Sequence, residues 1–415
     1  MLMTSAFAGV VSFFITNLSK GEIMLTDIAI IFIFGIFMAY IFEKIGLAPI
    51  IGMLIAGIII SPNQLNLVSD EIINISADLR QIALVVILTR AGLTLDFNKL
   101  KKVGRPAILL SFLPASVEML AIIFFAKRFF SIDPIDAGIM AAVLAAVSPA
   151  IVVPRMIKLI DEGYGADKNI PQMILAGASV DDVFVIVFFS SFLALKTGGS
   201  LSAMSFFNIP ISIASGVILG IIVGKTVAVI FEKIKINDIY KAMVFVGTSF
   251  LMLRLEKLLE NYLALSALIA IMVAGITINR ENTKLANDLL ASYNRLWKVF
   301  EIFLFVLVGI SVDLAYVREA GFLAVILIML GLIFRMVGVN ISLIKTNLNK
   351  NERIFTSFAY LPKATVQAAI GPVALQMGLA SGNLILSVSV IAILLTAPLG
   401  AILTDKTYKK LLKKS

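Results

Sequence analysis

The sequence predicts an all-α polytopic membrane protein, and three observations predict it. The 415 residues are 60% hydrophobic and only 15% charged, where soluble domains hold about 45–50% apolar and about 25% charged residues. The apolar residues gather into runs of the length, about 20 residues, that carries a helix across a bilayer. Lys and Arg, which outnumber Asp and Glu by nine, collect in alternate loops between those runs.

In chain order the runs lie near 26–43, 48–61, 75–95, 105–127, 137–158, 171–195, 207–231, 239–257, 261–279, 296–317, 320–344, 355–378 and 383–404. Several contain Gly or Pro, which membrane helices tolerate when neighbours satisfy the freed backbone groups. Thirteen spans follow, or fourteen if the uncharged residues 1–18 form another. No basic stretch precedes residues 1–18, which argues against a signal peptide. Lys44, Lys99, Lys101, Lys102, Arg105, Arg155, Lys158, Lys168, Lys233, Lys235 and Lys241 fall in one set of loops. The same set takes Arg280, Lys284, Arg295, Lys298, Lys345, Lys350, Arg353 and the tail Lys406–Lys414. The positive-inside rule makes that set cytoplasmic, with the C-terminus inside.

The chain also repeats itself at an offset near 217 residues. Ala56-Gly57-Ile58 matches Ala274-Gly275-Ile276, and Gly92-Leu93-Thr94-Leu95-Asp96 matches Gly309-Ile310-Ser311-Val312-Asp313. The offset sets Glu118 on Arg335, and Ser148 on Thr365 beside Lys363. Seven spans separate corresponding helices, so two six-helix halves have opposite orientation, with the run 207–231 between them. That is the inverted-repeat plan of many secondary transporters.

Composition removes several chemistries. There is no Cys, so no disulfide or thiolate metal site, and no His. A pH response near neutrality therefore rests on carboxylates or amines rather than imidazole. No nucleotide motif, metal cluster or nucleophile–base set is visible, which argues against an enzyme. The basic charge reads as membrane topology, with no nucleic-acid partner implied.

Ionisable residues inside a membrane are costly and mark function. Glu118, Asp181, Asp182, Arg335 and Lys363 stand out. Two adjacent carboxylates in a low-dielectric site cannot both ionise cheaply, and they titrate as a coupled unit. Adjacent helical residues point about 100° apart, so one can meet a cation while the other meets a fixed positive charge. A carboxylate that holds either a proton or a cation is the minimum device for exchange. Paired prolines, Pro149 with Pro154 and Pro362 with Pro372, occupy corresponding places in the two halves. Each removes a backbone donor, so both helices are expected to be interrupted near the midplane. Lys363 needs a counter-charge, and Asp181 or Asp182 is the expected one. The repeat's axis brings Glu118 to Arg335, where an ion pair is expected. Arg90 has no evident partner.

Three motifs carry a family resemblance: Ser148-Pro149-Ala150-Ile151-Val152-Val153-Pro154, Gly177-Ala178-Ser179-Val180-Asp181-Asp182, and Leu361-Pro362-Lys363-Ala364-Thr365-Val366-Gln367-Ala368-Ala369-Ile370-Gly371-Pro372. Together they resemble the sodium/proton antiporters of the monovalent cation:proton antiporter superfamily, closest to its NHA branch, over nearly the whole chain. The resemblance implies an NhaA-like fold with two crossing broken helices, a homodimer and an elevator-type alternating-access cycle. It implies a dimerisation domain (1–104 and 236–318), a core ion-transport domain (105–198 and 319–405), a linker helix (205–234) and a basic cytoplasmic tail (406–415). Asp182 becomes the main carrier of cation and proton, Asp181 its assistant, and Ser148, Thr365 and Lys363 auxiliary. Glu118 and Arg335 form a core ion pair. Relatives in other branches carry an acid where Ser148 stands, which shifts coordination toward Asp182, hydroxyls, carbonyls and water. The expected activity is Na⁺ or Li⁺ exchange for protons across the cell membrane, without a cofactor. The rival readings are a sodium-coupled symporter of an organic anion on a related fold, and a channel-like or regulatory protein.

Overall fold

The computed structural model describes residues 24–95, 104–197, 203–234, 236–259 and 262–414. The expectations for residues 1–18 and for Asp96, Lys99, Lys101, Lys102 and Lys235 lie outside them. Among the described residues the elements are helical: α1 (Met24–Lys44), α2 (Pro49–Ile60), α3 (Asp70–Thr94), α4 (Arg105–Leu110), α5 (Leu113–Phe130), α6 (Pro134–Ala145), α7 (Pro149–Glu162), α8 (Ile170–Thr197), α9 (Ala203–Lys233), α10 (Asp238–Leu259), α11 (Ala267–Glu281), α12 (Thr283–Ile310), α13 (Leu314–Ser342), α14 (Lys350–Ala359), α15 (Thr365–Ile370), α16 (Val373–Gln376) and α17 (Gly382–Leu411). Eight helical stretches among the described residues are long and apolar enough to cross a membrane, including Arg105–Phe130 through α4 and α5, and Pro134–Glu162 through α6 and α7. The other predicted runs fall on shorter or more polar helices, α2, α10, α11, α12 and the interrupted α14–α16.

Two helices differ in extent from the apolar runs. α12 begins at Thr283, well before the run at 296, because its first turns are amphipathic rather than apolar. Leu285, Ala286, Leu289, Ser292 and Tyr293 make a buried stripe at helical spacing while their neighbours stay polar. α17 continues through the basic stretch to Leu411. Beyond it, the Lys413 carbonyl accepts from the Gly165 amide at 2.8 Å, so part of the expected tail is helical and is tied to the α7–α8 loop.

Packing follows small residues. α9 lies along α11 on Gly216, Gly220 and Gly224. A Cβ at these three positions would stand 2.7, 2.6 and 2.7 Å from the carbonyls of Ser266, Ala270 and Ala274. Close backbone approach of this kind is what holds membrane helices together, since lipid supplies no hydrophobic drive. Gly57 and Gly309 bring α2 against α12, where a Cβ on Gly57 would reach 2.0 Å from the Val306 carbonyl. Gly92 and Gly275 bring α3 against α11, where a Cβ on Gly92 would reach 2.2 Å from the Met272 carbonyl. α1, α2, α3, α10, α11 and α12 pack mainly on one another, and α4 to α8 together with α13 to α17 make a second group, joined most closely by α5 against α13.

Candidate functional site

The first proline pair breaks its helix just before the pair, not within it. The residue ahead of a proline is pushed out of the helical region, and Ser148 is extended, at φ −88° and ψ 109°. Pro149 then opens α7 at a first-turn position, where its missing N–H costs nothing, and Pro154 sits inside α7. The second helix breaks twice. α14 ends at Ala359, residues 361–364 are not helical, α15 runs from Thr365, and Gly371-Pro372 separates it from α16. The two breaks touch: the Ser148 amide donates to the Pro362 carbonyl at 2.7 Å.

A helix ending inside the protein leaves four carbonyls without partners and a partial negative charge. The end of α6 is met by side chains from two other elements. The Gln367 amide donates to Val143 at 3.1 Å and to Ala146 at 2.9 Å. Lys363 Nζ donates to the Leu144 carbonyl, and Arg335 Nη1 to the Ala145 carbonyl. Arg335 Nε reaches the end of α14 as well, donating to the Tyr360 carbonyl at 2.6 Å. One guanidinium on α13 thus ties both broken helices.

The buried charges around the two breaks form one network with one residue outside it. Arg335, fully buried, pairs with Glu118 at 2.8 Å and with Asp181 at 3.0 Å. Lys363 pairs with the other oxygen of Glu118 at 2.7 Å. Asp181 also accepts from the Val147 amide at 2.8 Å, within the first break. Asp182 has no cationic partner within ion-pair distance among the described residues. One of its oxygens is buried without a hydrogen-bond donor. It retains 7% of its surface exposed where Asp181 retains none.

The predicted residues Glu118 and Arg335 do meet, 217 positions apart. The expected Lys363–aspartate pair does not form: Lys363 goes to Glu118. The reason is reach, because Arg335 stands between the break and α8 and takes Asp181 itself. Ser148 is buried at the start of α7 with its hydroxyl unpartnered, and Thr365 is buried at the first residue of α15. Gln367 belongs to the site, and as an uncharged side chain within a recognised motif it is easily passed over. Its Oε1 is also a buried acceptor without a donor. Arg90 finds Asn294 at 2.9 Å and the Trp297 ring at 5.2 Å, away from the crossing.

Buried oxygens of Asp181, Asp182, Ser148 and Gln367 are therefore unsatisfied around one break, where native proteins leave few buried polar atoms unpaired. Hard cations take oxygen ligands, and this group presents oxygens with the nearby cations already engaged elsewhere. No cluster of three or more acids suited to a resident metal occurs among the described residues.

A family model described as sodium/hydrogen exchanger, transmembrane, matches residues 12–407. The human sodium/hydrogen exchanger 9B2 is 32% identical over 391 residues, which are 89% of this chain and 70% of that protein. The human sodium/hydrogen exchanger 9B1 is 30% identical over 383 residues, 88% of this chain and 73% of that one. Among solved structures, the sodium proton antiporter MjNhaP1 from Methanocaldococcus jannaschii at pH 8 shares the fold with a TM-score of 0.79. The match has 19% identity and covers 92% of this chain and 97% of that one. The chain belongs to the sodium/hydrogen exchanger family, and it is a membrane cation:proton antiporter rather than an enzyme.

Proposed function

We propose that Asp182 is the single carboxylate that carries the cation and the proton in turn, and that the cation is Na⁺ or Li⁺. One observation carries this reading: of two adjacent buried carboxylates, Asp181 is held by Arg335 and the Val147 amide, while Asp182 keeps an oxygen that nothing occupies. A charge held by a fixed partner stays with the protein; a charge without one is free to exchange ligands. Ser148, Gln367, Thr365 and the spare oxygen of Asp181 complete the coordination. Lys363, Glu118 and Arg335 hold the two broken helices rather than the ion. The test is Na⁺-driven proton movement in proteoliposomes. Asp182→Asn is expected to abolish exchange, and exchange at the parent rate would sink the assignment.

The packing supports a division into a scaffold (1–104 and 236–318), a moving core (105–198 and 319–405) and a linker helix (205–234). An elevator cycle would slide the core, with both breaks, against the scaffold. The glycine contacts support the inverted repeat. Gly57 and Gly275 are counterparts in sequence, as are Gly92 and Gly309. In the fold Gly57 meets Gly309 and Gly92 meets Gly275, as a pseudo-twofold axis requires. The reading extends to thirteen spans in the cell membrane, the C-terminus in the cytoplasm, and a homodimer. Symport of an organic anion is not favoured, since Arg335 and Lys363, the cations at the crossing, are engaged by carboxylates and carbonyls.

A further inference from the structure

Arg80 is a buried guanidinium, 5% exposed, on the third helix, and it has no acid within ion-pair distance among the described residues. A cation buried without a counter-charge is expensive unless its donors are met. Arg80 Nη1 donates to the Leu307 carbonyl at 3.1 Å and to the Ser311 hydroxyl at 2.6 Å, at the end of α12. The remaining donors face Gln376 on α16. With its side-chain oxygen turned to the guanidinium, Gln376 accepts from Nε at 3.1 Å and from Nη2 at 3.3 Å.

The division of these acceptors matters. α3 and α12 both belong to the proposed scaffold and are packed on each other, so the bonds to Leu307 and Ser311 persist whatever the core does. α16 is the last piece of the second broken helix and belongs to the proposed core. The bonds to Gln376 are made across the sliding boundary and exist in one position of the core only. Gln376 sits at the far end of that helix from its start at Lys350, the end opposite the basic loops.

We propose that Arg80 and Gln376 form a latch across the scaffold–core boundary, which closes the outward side of the transport path and sets the balance between the two positions of the core. The proposal rests on the elevator reading above. In the closed position the guanidinium is satisfied by three acceptors. When the core moves, two donors must exchange a protein oxygen for water entering the opened cleft. Hydrogen bonds to charged groups are stronger than neutral ones, so the latch favours the closed position by about tenfold in population.

The chain has no Cys, which allows one introduced thiol to report accessibility. Ser76 is buried on α3 one turn before Arg80, on the same helix face. Ser76→Cys is introduced and its alkylation by a membrane-impermeant reagent, applied from outside, is timed in proteoliposomes. Gln376→Leu removes the acceptor and is expected to speed alkylation about tenfold. Gln376→Glu, which sets a carboxylate against the guanidinium, is expected to slow both alkylation and turnover. Ser311→Ala removes an acceptor that stays with Arg80 in both positions, and alkylation is expected at the parent rate. The latch is overturned if both Gln376 variants label at the parent rate, or if Ser311→Ala speeds labelling as much as Gln376→Leu. Ser76→Cys in the otherwise parent protein separates the cases. No labelling while transport persists overturns the elevator reading beneath the latch; labelling that proceeds at one rate with Gln376 or with either variant overturns the latch alone.

Discussion

Asp181 and Asp182 share one turn of α8 and one low-dielectric surrounding, yet the Arg335 guanidinium and the Val147 amide take up the first and leave the second. Competition at one carboxylate has a definite slope. As pH falls through its titration range, the half-saturating Na⁺ concentration should rise about tenfold per pH unit, measured by proton flux at stepped Na⁺ and pH. About a hundredfold per unit would mean that Asp181 gives up a proton too. Glu118 answers to two cations at once. Glu118→Gln leaves the Lys363 ammonium buried without a carboxylate, and loss of one partner of a buried pair costs about 3–5 kcal/mol. The folded yield and the melting temperature in detergent should both fall. At this scale the sequence shows which charges are too costly to be incidental, but not which partner each one finds. Glu118 and Arg335 are brought together by an offset that sequence can measure. Lys363 is not placed by any offset, since its reach to Glu118 depends on how α5, α13 and the second break are rotated. Gln367, a neutral amide in an apolar motif, carries no mark of its own; Arg80 carries the mark of a charge inside the run 75–95, but nothing in the sequence names its partners on α12 and α16.

The helices show a different limit. Prolines announce both interruptions, and the break before Pro149 follows from that residue's own geometry. Two prolines do not mean two breaks, however: Pro154 rides inside α7 while Pro372 parts α15 from α16. The first turns of α12 escape a search for apolar runs because a stripe, rather than a whole surface, is buried there. The glycines are legible only as a repeated pattern; their purpose is contact. Gly57→Ala would drive a Cβ to 2.0 Å from the Val306 carbonyl. Backbone carbonyls cannot step aside as a side chain can, so about 1–3 kcal/mol of overpacking is expected, read as a lower melting temperature. Gly247→Ala, at a position with open space around it, should melt as the parent does or slightly above it.

For the whole molecule, the sequence settles the class and, through the alternation of basic loops, the expected orientation. A single thiol checks that orientation: Lys410→Cys should react with an impermeant reagent only from the cytoplasmic face, and reaction from outside would invert the topology. What the sequence leaves open is how the two groups of helices lie against each other. That arrangement depends on contacts between distant segments, such as α16 against α3, which neither periodicity nor charge encodes.

The unpartnered oxygen of Asp182 has a cost outside transport. A buried carboxylate with no cation beside it costs more than a neutral polar group in the same place, and the site cannot be given a permanent counter-charge without ceasing to exchange. The working protein therefore holds a weakness that its inactive form lacks. In sodium-free buffer Asp182→Asn should melt higher than the parent, and adding Na⁺ should raise the parent toward the variant while leaving the variant where it is. Selection for durability alone would remove the residue on which exchange depends.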